Sequence, residues 1–141
     1  MVEPGGPGRR STASTAAQEH RGAAALGRSG EDLAADLLTR AGYRILDRNW
    51  RDGRCEIDCV AIRSGQVVFV EVKTRRPGPQ PASETVTAAQ RRNIRRTAAA
   101  WMRRHPRVGV SFRFDIIALT WPPDSDPELT YIPGAFDDAD P

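Results

Sequence analysis

Apolar residues recur at three- and four-residue spacing from Gly22 to Ala41, and this spacing predicts one amphipathic helix. The N-terminal half of the stripe consists of small residues, so we expect the helix to lie very close to the surface on which it packs. Gly42 is a natural terminator for this helix. Glu31 lies on the margin of the stripe, where its carboxylate can point along the packed interface.

Three β-rich segments follow the helix, from Tyr43 to Arg51, from Cys55 to Ile62 and from Gln66 to Thr74. Turn signals separate them at Asp52-Gly53 and Ser64-Gly65, so the pattern predicts antiparallel strands joined by tight turns.

A second helix is predicted from about Glu84 to His105, where Pro106 ends it, and a fourth strand from Val108 to Thr120. The order of helix, three strands, helix and strand predicts one α/β domain, residues 21–120, whose mixed sheet lies between helices.

Two segments outside this domain differ in composition. Residues 1–20 are rich in Gly, Pro, Ser, Thr and Ala and predict a disordered N-terminal tail. Residues 121–141 are rich in Pro and Asp and predict an acidic C-terminal tail. We expect this tail to be mobile except where its apolar residues hold it to the domain: Trp121, Tyr131, Ile132 and Phe136.

Charged residues interrupt the second and third strands, and the register decides whether they meet. A two-residue turn at Ser64-Gly65 sets Asp58 opposite Glu71 and Glu56 opposite Lys73. The same count puts their apolar neighbours together on the other face: Ile57, Cys59, Val70 and Val72.

Adjacent carboxylates repel each other unless one is protonated or a cation lies between them. A hard divalent ion such as Mg²⁺ suits Asp58 and Glu71, because it takes carboxylate oxygens and leaves positions for a phosphate. Lys73 would then orient or deprotonate an attacking water, or neutralise charge on the phosphate. The alternative is a solvent-exposed face with an ordinary ion pair between Glu56 and Lys73. The apolar run around Glu71 favours a covered face, on which idle charges are costly.

The charge is unevenly distributed. Six of the 18 acidic residues, and no Lys or Arg, lie from Trp121 onward, so residues 1–120 carry all 21 basic residues against the other 12 acidic ones. This surplus of nine positive charges favours a polyanionic partner such as nucleic acid. We predict that a group of arginines forms a track for backbone phosphates: Arg75, Arg76, Arg92, Arg95, Arg96 and Arg103. The alternative is that the helix arginines form an ordinary solvated helix face.

No segment approaches the roughly 20 apolar residues that a bilayer-spanning helix needs, and the N-terminus lacks the apolar centre of a secretory signal. We therefore expect no membrane association and a cytoplasmic location. The only cysteines, Cys55 and Cys59, are four residues apart in one predicted strand, too far for a disulfide or a shared zinc.

Four segments in order carry a family resemblance: GRSGEDLAADLLTRAGYRILDRNWR, EIDCVA, VFVEVKTR and RFDIIAL. Together they resemble the YraN-type family of uncharacterised bacterial proteins over about residues 22–120. That family is similar to the restriction-endonuclease-like fold, in particular to archaeal Holliday junction resolvases. The resemblance implies an αβββαβ core and a site that joins a helix Glu, a strand Asp and a Glu-x-Lys, which here are Glu31, Asp58, Glu71 and Lys73.

Three positions depart from this pattern. Ile57 stands where many nucleases of the fold have proline, and Cys55 where relatives usually have glycine. Gln90 stands where relatives often have a lysine early in the second helix. We predict that Glu56 and Gln90 support the site without binding the metal.

The leading hypothesis is a Mg²⁺- or Mn²⁺-dependent endonuclease-like enzyme that hydrolyses phosphodiester bonds in DNA, including branched junction DNA. Asp58, Glu71 and Glu31 would bind the metal, and Lys73 would be the catalytic cation. Because a junction has two strands to cut, this hypothesis includes a homodimer. The alternative is a non-catalytic nucleic-acid-binding or adaptor module that keeps the fold. A third option is a protein-interaction role in which the acidic tail shields the basic surface.

Overall fold

The computed structural model describes residues 23–78 and 86–137, with side chains from residue 30 onward in the first range. The predicted N-terminal tail, Glu84 and residues 138–141 lie outside the described residues. The described elements are α1 Ala23–Arg40, β1 Arg44–Asp52, β2 Cys55–Arg63, β3 Gln66–Arg75, α2 Ala88–Arg104, β4 Ser111–Thr120 and β5 Glu128–Phe136.

The strands form one mixed sheet in the order β1-β2-β3-β4-β5. Neighbouring strands are antiparallel except β3 and β4, which are parallel and are therefore joined by a crossover that contains α2. This arrangement confirms the predicted α/β class and mixed sheet.

Tight turns and helix ends follow the local sequence. Ser64 and Gly65 both have positive φ, 51° and 76°, and Arg63 pairs with Gln66, so the predicted two-residue turn is confirmed. Gly42 has φ of 94° and ends α1.

The start of α2 differs from the predicted one. Thr87 is the N-cap residue, and its hydroxyl accepts a hydrogen bond from the Gln90 N–H. The Gln90 side chain in turn accepts from the Thr87 N–H at 2.8 Å. This capping box fixes the helix start at Ala88 and engages the Gln90 amide in the cap.

The sheet separates two hydrophobic clusters. The α1-side cluster contains Ala34, Leu38, Tyr43, Cys59, Ala61, Val68, Val70, Ile117 and Leu119. The α2-side cluster includes Ile57, Val60, Val67, Phe69, Ile94, Ala98, Trp101, Phe114, Ile116, Ala118 and Phe136. Along β3 and β4 the residues alternate between the two clusters, so these strands are covered on both faces, as predicted for the apolar run around Glu71.

The sequence pattern does not predict β5, because its Pro and Gly interrupt a short alternating run. In the structure this strand pairs with β4, and Phe136 is buried at its end. The expected anchoring of the C-terminal segment by its apolar residues is confirmed at Trp121, which is 1% exposed. The segment also completes one edge of the sheet.

A buried ionic network ties β5 to β4. The Asp115 side chain is fully buried and accepts hydrogen bonds from Arg113 Nε at 2.8 Å, from the Tyr131 hydroxyl at 2.5 Å and from the Gly134 N–H at 2.9 Å. Since these partners satisfy both carboxylate oxygens, this buried charge has a structural role.

Helix α1 lies very close to the sheet at Gly30. A Cβ atom at this position would overlap the Thr74 hydroxyl on β3. The expectation that small residues bring this helix close to its neighbour is met here, one residue before Glu31.

We predict that Gly30→Ala destabilises the protein. Overpacking costs about 1–3 kcal/mol, which exceeds the roughly 1 kcal/mol that alanine gains over glycine inside a helix. Thermal unfolding of Gly30→Ala, Thr74→Ala and the double variant measures this effect. Thr74→Ala removes the overlapping hydroxyl, so the double variant should recover most of the loss. Equal losses in the single and double variants would contradict the close contact.

Candidate active site

Strands β2 and β3 separate at Asp58. Their backbone pairing runs from the turn as far as Cys59 and Val70 and follows the predicted register. Beyond this point the Asp58 Oδ2 atom accepts a hydrogen bond from the Val72 N–H at 2.7 Å. The Asp58 carboxylate therefore lies between the two strands, where their pairing ends.

The faces of β2 change at the same point. Ile57 packs in the α2-side cluster and Cys59 in the α1-side cluster, although residues two apart in a regular strand share a face. The prediction that both lie on one apolar face was wrong, because it assumed unbroken alternation. At Asp58 the alternation of β2 side chains between the two faces of the sheet is interrupted, so Ile57 and Cys59 point to opposite faces.

Strand β1 breaks its alternation beside Asp58. Arg48 pairs with Cys59 and Trp50 pairs with Ile57, so Asn49 stands across from Asp58 on the rung between them. Asn49 has φ of 53°, in the left-handed region that asparagine adopts more readily than most residues. The two strands thus depart from regular geometry at a shared rung.

Sequence reasoning did not single out Asn49. Its amide Nδ2 donates a hydrogen bond to Glu31 Oε1 at 3.0 Å. The one available signal was an asparagine, which tolerates the left-handed conformation, inside a predicted strand. That signal indicates local distortion but does not identify the partner.

The carboxyl groups of Asp58 and Glu71 are adjacent and shielded from water. Burial, with the Glu71 charge second, raises the pKa of Asp58 to about 8. Burial also raises the pKa of Glu71, against the lowering effects of Lys73 and of a hydrogen bond with Asp58. A pair in this state retains a proton near neutral pH and is a favourable place for a divalent cation to displace it.

Lys73 provides the positive charge of the site. Its Nζ lies 3.5 Å from Glu71 Oε2, and the Lys73 and Glu71 side chains are 23% and 16% exposed. The ion pair between Lys73 and Glu56, which was the alternative to a metal site, is not formed, because the pairing of β2 and β3 ends before it reaches these residues. Glu56 instead lies across from Arg51 on β1, and its Oε2 atom is 3.7 Å from a guanidinium nitrogen of Arg51.

Glu31 reaches the site from α1. Its negative charge contributes to the raised pKa values of both Asp58 and Glu71, which indicates that it lies within electrostatic range of both. Among the described residues, however, no three His, Cys, Asp or Glu side chains are grouped closely enough to hold a metal. The structure therefore brings Asp58, Glu71 and Lys73 together and leaves Glu31 at the margin.

The predicted arginines are placed around α2 and the end of β3. Arg92, Arg96, Arg103 and Arg76 are exposed, whereas Arg75 and Arg95 are partly buried. Within the described part of the chain, the four predicted arginines that lie on α2 form no ion pair, whereas Arg104 at the end of the helix pairs with Asp52. On the same helix, Arg91 Nε and Arg95 NH1 are buried and have no hydrogen-bond partner among the described residues.

The raised pKa of Asp58 predicts a pH-dependent stability. Between pH 3.8 and about 8, the Asp58 carboxyl group of the folded protein holds a proton, whereas in the unfolded chain, where its pKa is near 3.8, the same group has released it. This contribution to stability is complete below pH 3.8 and is lost as the pH rises through about 8. We expect Asp58→Asn to match the metal-free wild type near pH 4 and to be more stable near pH 9, by on the order of a few kcal/mol.

Thermal unfolding of both proteins across this pH range, in the presence of a chelator, measures the difference. Asparagine retains an oxygen that can accept the Val72 N–H, so the hydrogen bond is preserved. Asp36→Asn, on the exposed surface of α1, is the matched control and should show no such rise. A difference between Asp58→Asn and wild type that does not change with pH would contradict the assignment.

No helix among the described residues is both long and apolar enough to cross a membrane.

Comparison with known proteins identifies the family. The model of an uncharacterised protein family, UPF0102, matches residues 30–119. A UPF0102 protein of Rhodococcus opacus is 43% identical over 113 residues, which cover 79% of this chain and 96% of the relative. A UPF0102 protein of Geobacter sulfurreducens is 45% identical over 116 residues, which cover 79% and 88%. The chain therefore belongs to the UPF0102 family, as the four sequence motifs predicted.

Proposed function

We propose that this protein is a Mg²⁺- or Mn²⁺-dependent phosphodiester hydrolase that acts on nucleic acid, most favourably on DNA. The observation that carries the proposal is the pair of adjacent, buried carboxyl groups of Asp58 and Glu71 beside the Lys73 ammonium. Asp115 shows that this fold can satisfy a buried carboxylate when its role is structural. Asp58 and Glu71 instead both have raised pKa values, which is typical of functional sites.

We also propose that the domain has a restriction-endonuclease-like core. In this core α1, β1 to β3, α2 and β4 correspond to the αβββαβ order. Helices on opposite faces of the mixed sheet and a site at the separation of β2 and β3 support this assignment. The fifth strand is an addition at the β4 edge.

The donor set suits a hard divalent cation. Asp58 and Glu71 would bind it directly, with Glu31 as the third carboxylate, either directly or through a metal-bound water. Bound Mg²⁺ or Mn²⁺ supplies charge stabilisation at the phosphate and a more acidic water. The Val72 N–H fixes one oxygen of Asp58, and Lys73 places a positive charge where a phosphate oxygen would lie.

The basic surface supports a polyanionic substrate. Arginines of α2 without ion-pair partners in the described residues would bind backbone phosphates, together with Arg75 and Arg76 after Lys73. We add Arg91 to this set, because its Nε, like Arg95 NH1, has no hydrogen-bond partner among the described residues. We further propose that the substrate includes branched DNA, that a homodimer cuts its two strands, and that the protein is located in the cytoplasm.

A second candidate function is a non-catalytic nucleic-acid-binding or adaptor module. It is favoured by the position of Glu31, whose carboxylate is bonded to Asn49, and by the absence of a three-ligand metal cluster among the described residues. Such a protein would bind DNA in a salt-dependent manner without forming product at any metal concentration.

A cleavage assay separates the two functions. We expect the purified protein to cut linear, nicked or four-way DNA only with Mg²⁺ or Mn²⁺, and EDTA to stop the reaction. Asp58→Asn should abolish cutting, and Lys73→Ala should lower the rate by about 100-fold, because a charge that stabilises the transition state is removed. Asp36→Asn serves as the carboxylate control. Cutting without a metal, or full activity in Asp58→Asn, would rule out this mechanism.

The arginine track has its own test. Fluorescence anisotropy with a labelled duplex of about 20 base pairs gives the Kd as a function of KCl concentration. Replacing Arg92, Arg95 or Arg96 by Gln should weaken binding and lower the salt slope by about 0.9 for each phosphate that the variant no longer neutralises. Arg40→Gln is the charge-matched control, because Arg40 is paired with Asp36. Unchanged slopes in the three α2 variants would show that the track is a solvated helix face.

A further inference from the structure

Two adjacent residues of α1 are bonded to two adjacent residues of β1. Glu31 Oε1 accepts from Asn49 Nδ2 at 3.0 Å, and Asp32 Oδ1 accepts from Arg48 at 2.8 Å. The order is crossed, with the earlier helix residue bonded to the later strand residue. We call these four residues the α1–β1 clasp.

A regular strand could not form this clasp. Successive side chains of a strand point to opposite faces of the sheet, so Arg48 and Asn49 would not both reach the same helix. The left-handed backbone of Asn49, with φ of 53°, breaks the alternation. On either side of the pair, Asp47 bonds Trp101 of α2 and Trp50 packs in the α2-side cluster. The distortion at Asn49 therefore directs one extra side chain towards α1.

The residue held by Asn49 is the one at the margin of the site. Glu31 follows Gly30, whose contact with Thr74 fixes the height of the helix above β3. Asn49 engages Oε1 alone, and among the described residues the other carboxylate oxygen, Oε2, has no hydrogen-bond partner. The Glu31 carboxylate is thus bound through Oε1, and Oε2 is left without a hydrogen bond from the described residues.

We propose that Asn49 is a positioning residue that holds Glu31 in one orientation beside the Asp58 and Glu71 carboxylates. Its left-handed backbone turns the amide towards α1, and the amide then fixes Glu31 Oε1 and leaves Oε2 for the site. The consequence for metal binding rests on the proposed function, whereas the ordering of the Glu31 side chain does not.

The test compares two variants of adjacent residues. Asn49→Gly introduces a residue that adopts positive φ without strain and removes the side chain that carries the amide. Arg48→Gln breaks the neighbouring bond of the clasp without touching Glu31, so it controls for general loosening of α1. Nuclear magnetic resonance measures whether the Glu31 side chain keeps one rotamer, and calorimetry with MnCl₂ measures metal affinity.

We expect Asn49→Gly to average the Glu31 rotamers and to weaken Mn²⁺ binding by about tenfold, the usual effect of removing a group that orients a metal ligand. Arg48→Gln should keep both the rotamer and the affinity within about twofold of wild type, well below that tenfold effect. A single Glu31 rotamer in Asn49→Gly, or equal losses in the two variants, would overturn the inference. If the wild type binds no Mn²⁺, the proposed function fails, and the Glu31 rotamer alone decides the role of Asn49.

Discussion

The main constraint on this structure is an unfavourable interaction between two carboxyl groups, those of Asp58 and Glu71, which lie together and are largely shielded from water. Burial of both groups, and for Asp58 the charge of Glu71, favour a shared proton. The fold maintains this arrangement because the surrounding strands are covered on both faces, and the two hydrophobic clusters supply the stability that the pair removes. One hydrogen bond from Val72 and the nearby ammonium of Lys73 offset part of the cost.

Asp115 and Asp58 show how the same side chain takes two roles in one sheet. Asp115 accepts hydrogen bonds from Arg113, Tyr131 and Gly134, so its charge is satisfied and it joins β4 to β5. Asp58 has one backbone donor and faces a second acid. A buried charge with complete partners stabilises a fold, whereas one that lacks them is kept for binding or chemistry. This contrast is the physical reason to regard Asp58 and Glu71 as a site.

The sequence predicted the parts of the fold that follow from local patterns. The spacing of apolar residues located both helices and four strands, and the turn at Ser64-Gly65 set the register as far as Cys59. It failed where local patterns are interrupted. The reversal at Asp58 lies across from a left-handed residue in the neighbouring strand, and β5 is held by its pairing with β4. The strand register was enough to predict that Asp58, Glu71 and Lys73 lie close together. The hydrogen bond between Glu31 and Asn49 could be found only from the structure.

The most direct test of this account is the number of protons that the protein releases when it binds a divalent metal. Titration calorimetry with MnCl₂ at pH 7, in buffers of different ionisation enthalpy, measures that number. Because Asp58 has a pKa of about 8 and is mostly protonated at this pH, the account predicts binding with release of close to one proton. The Asp58→Asn protein should release clearly less, because only the Glu71 carboxyl group then remains to lose a proton. Mn²⁺ binding without proton release, or no binding by the wild type, would contradict the claim that these carboxylates form a metal site.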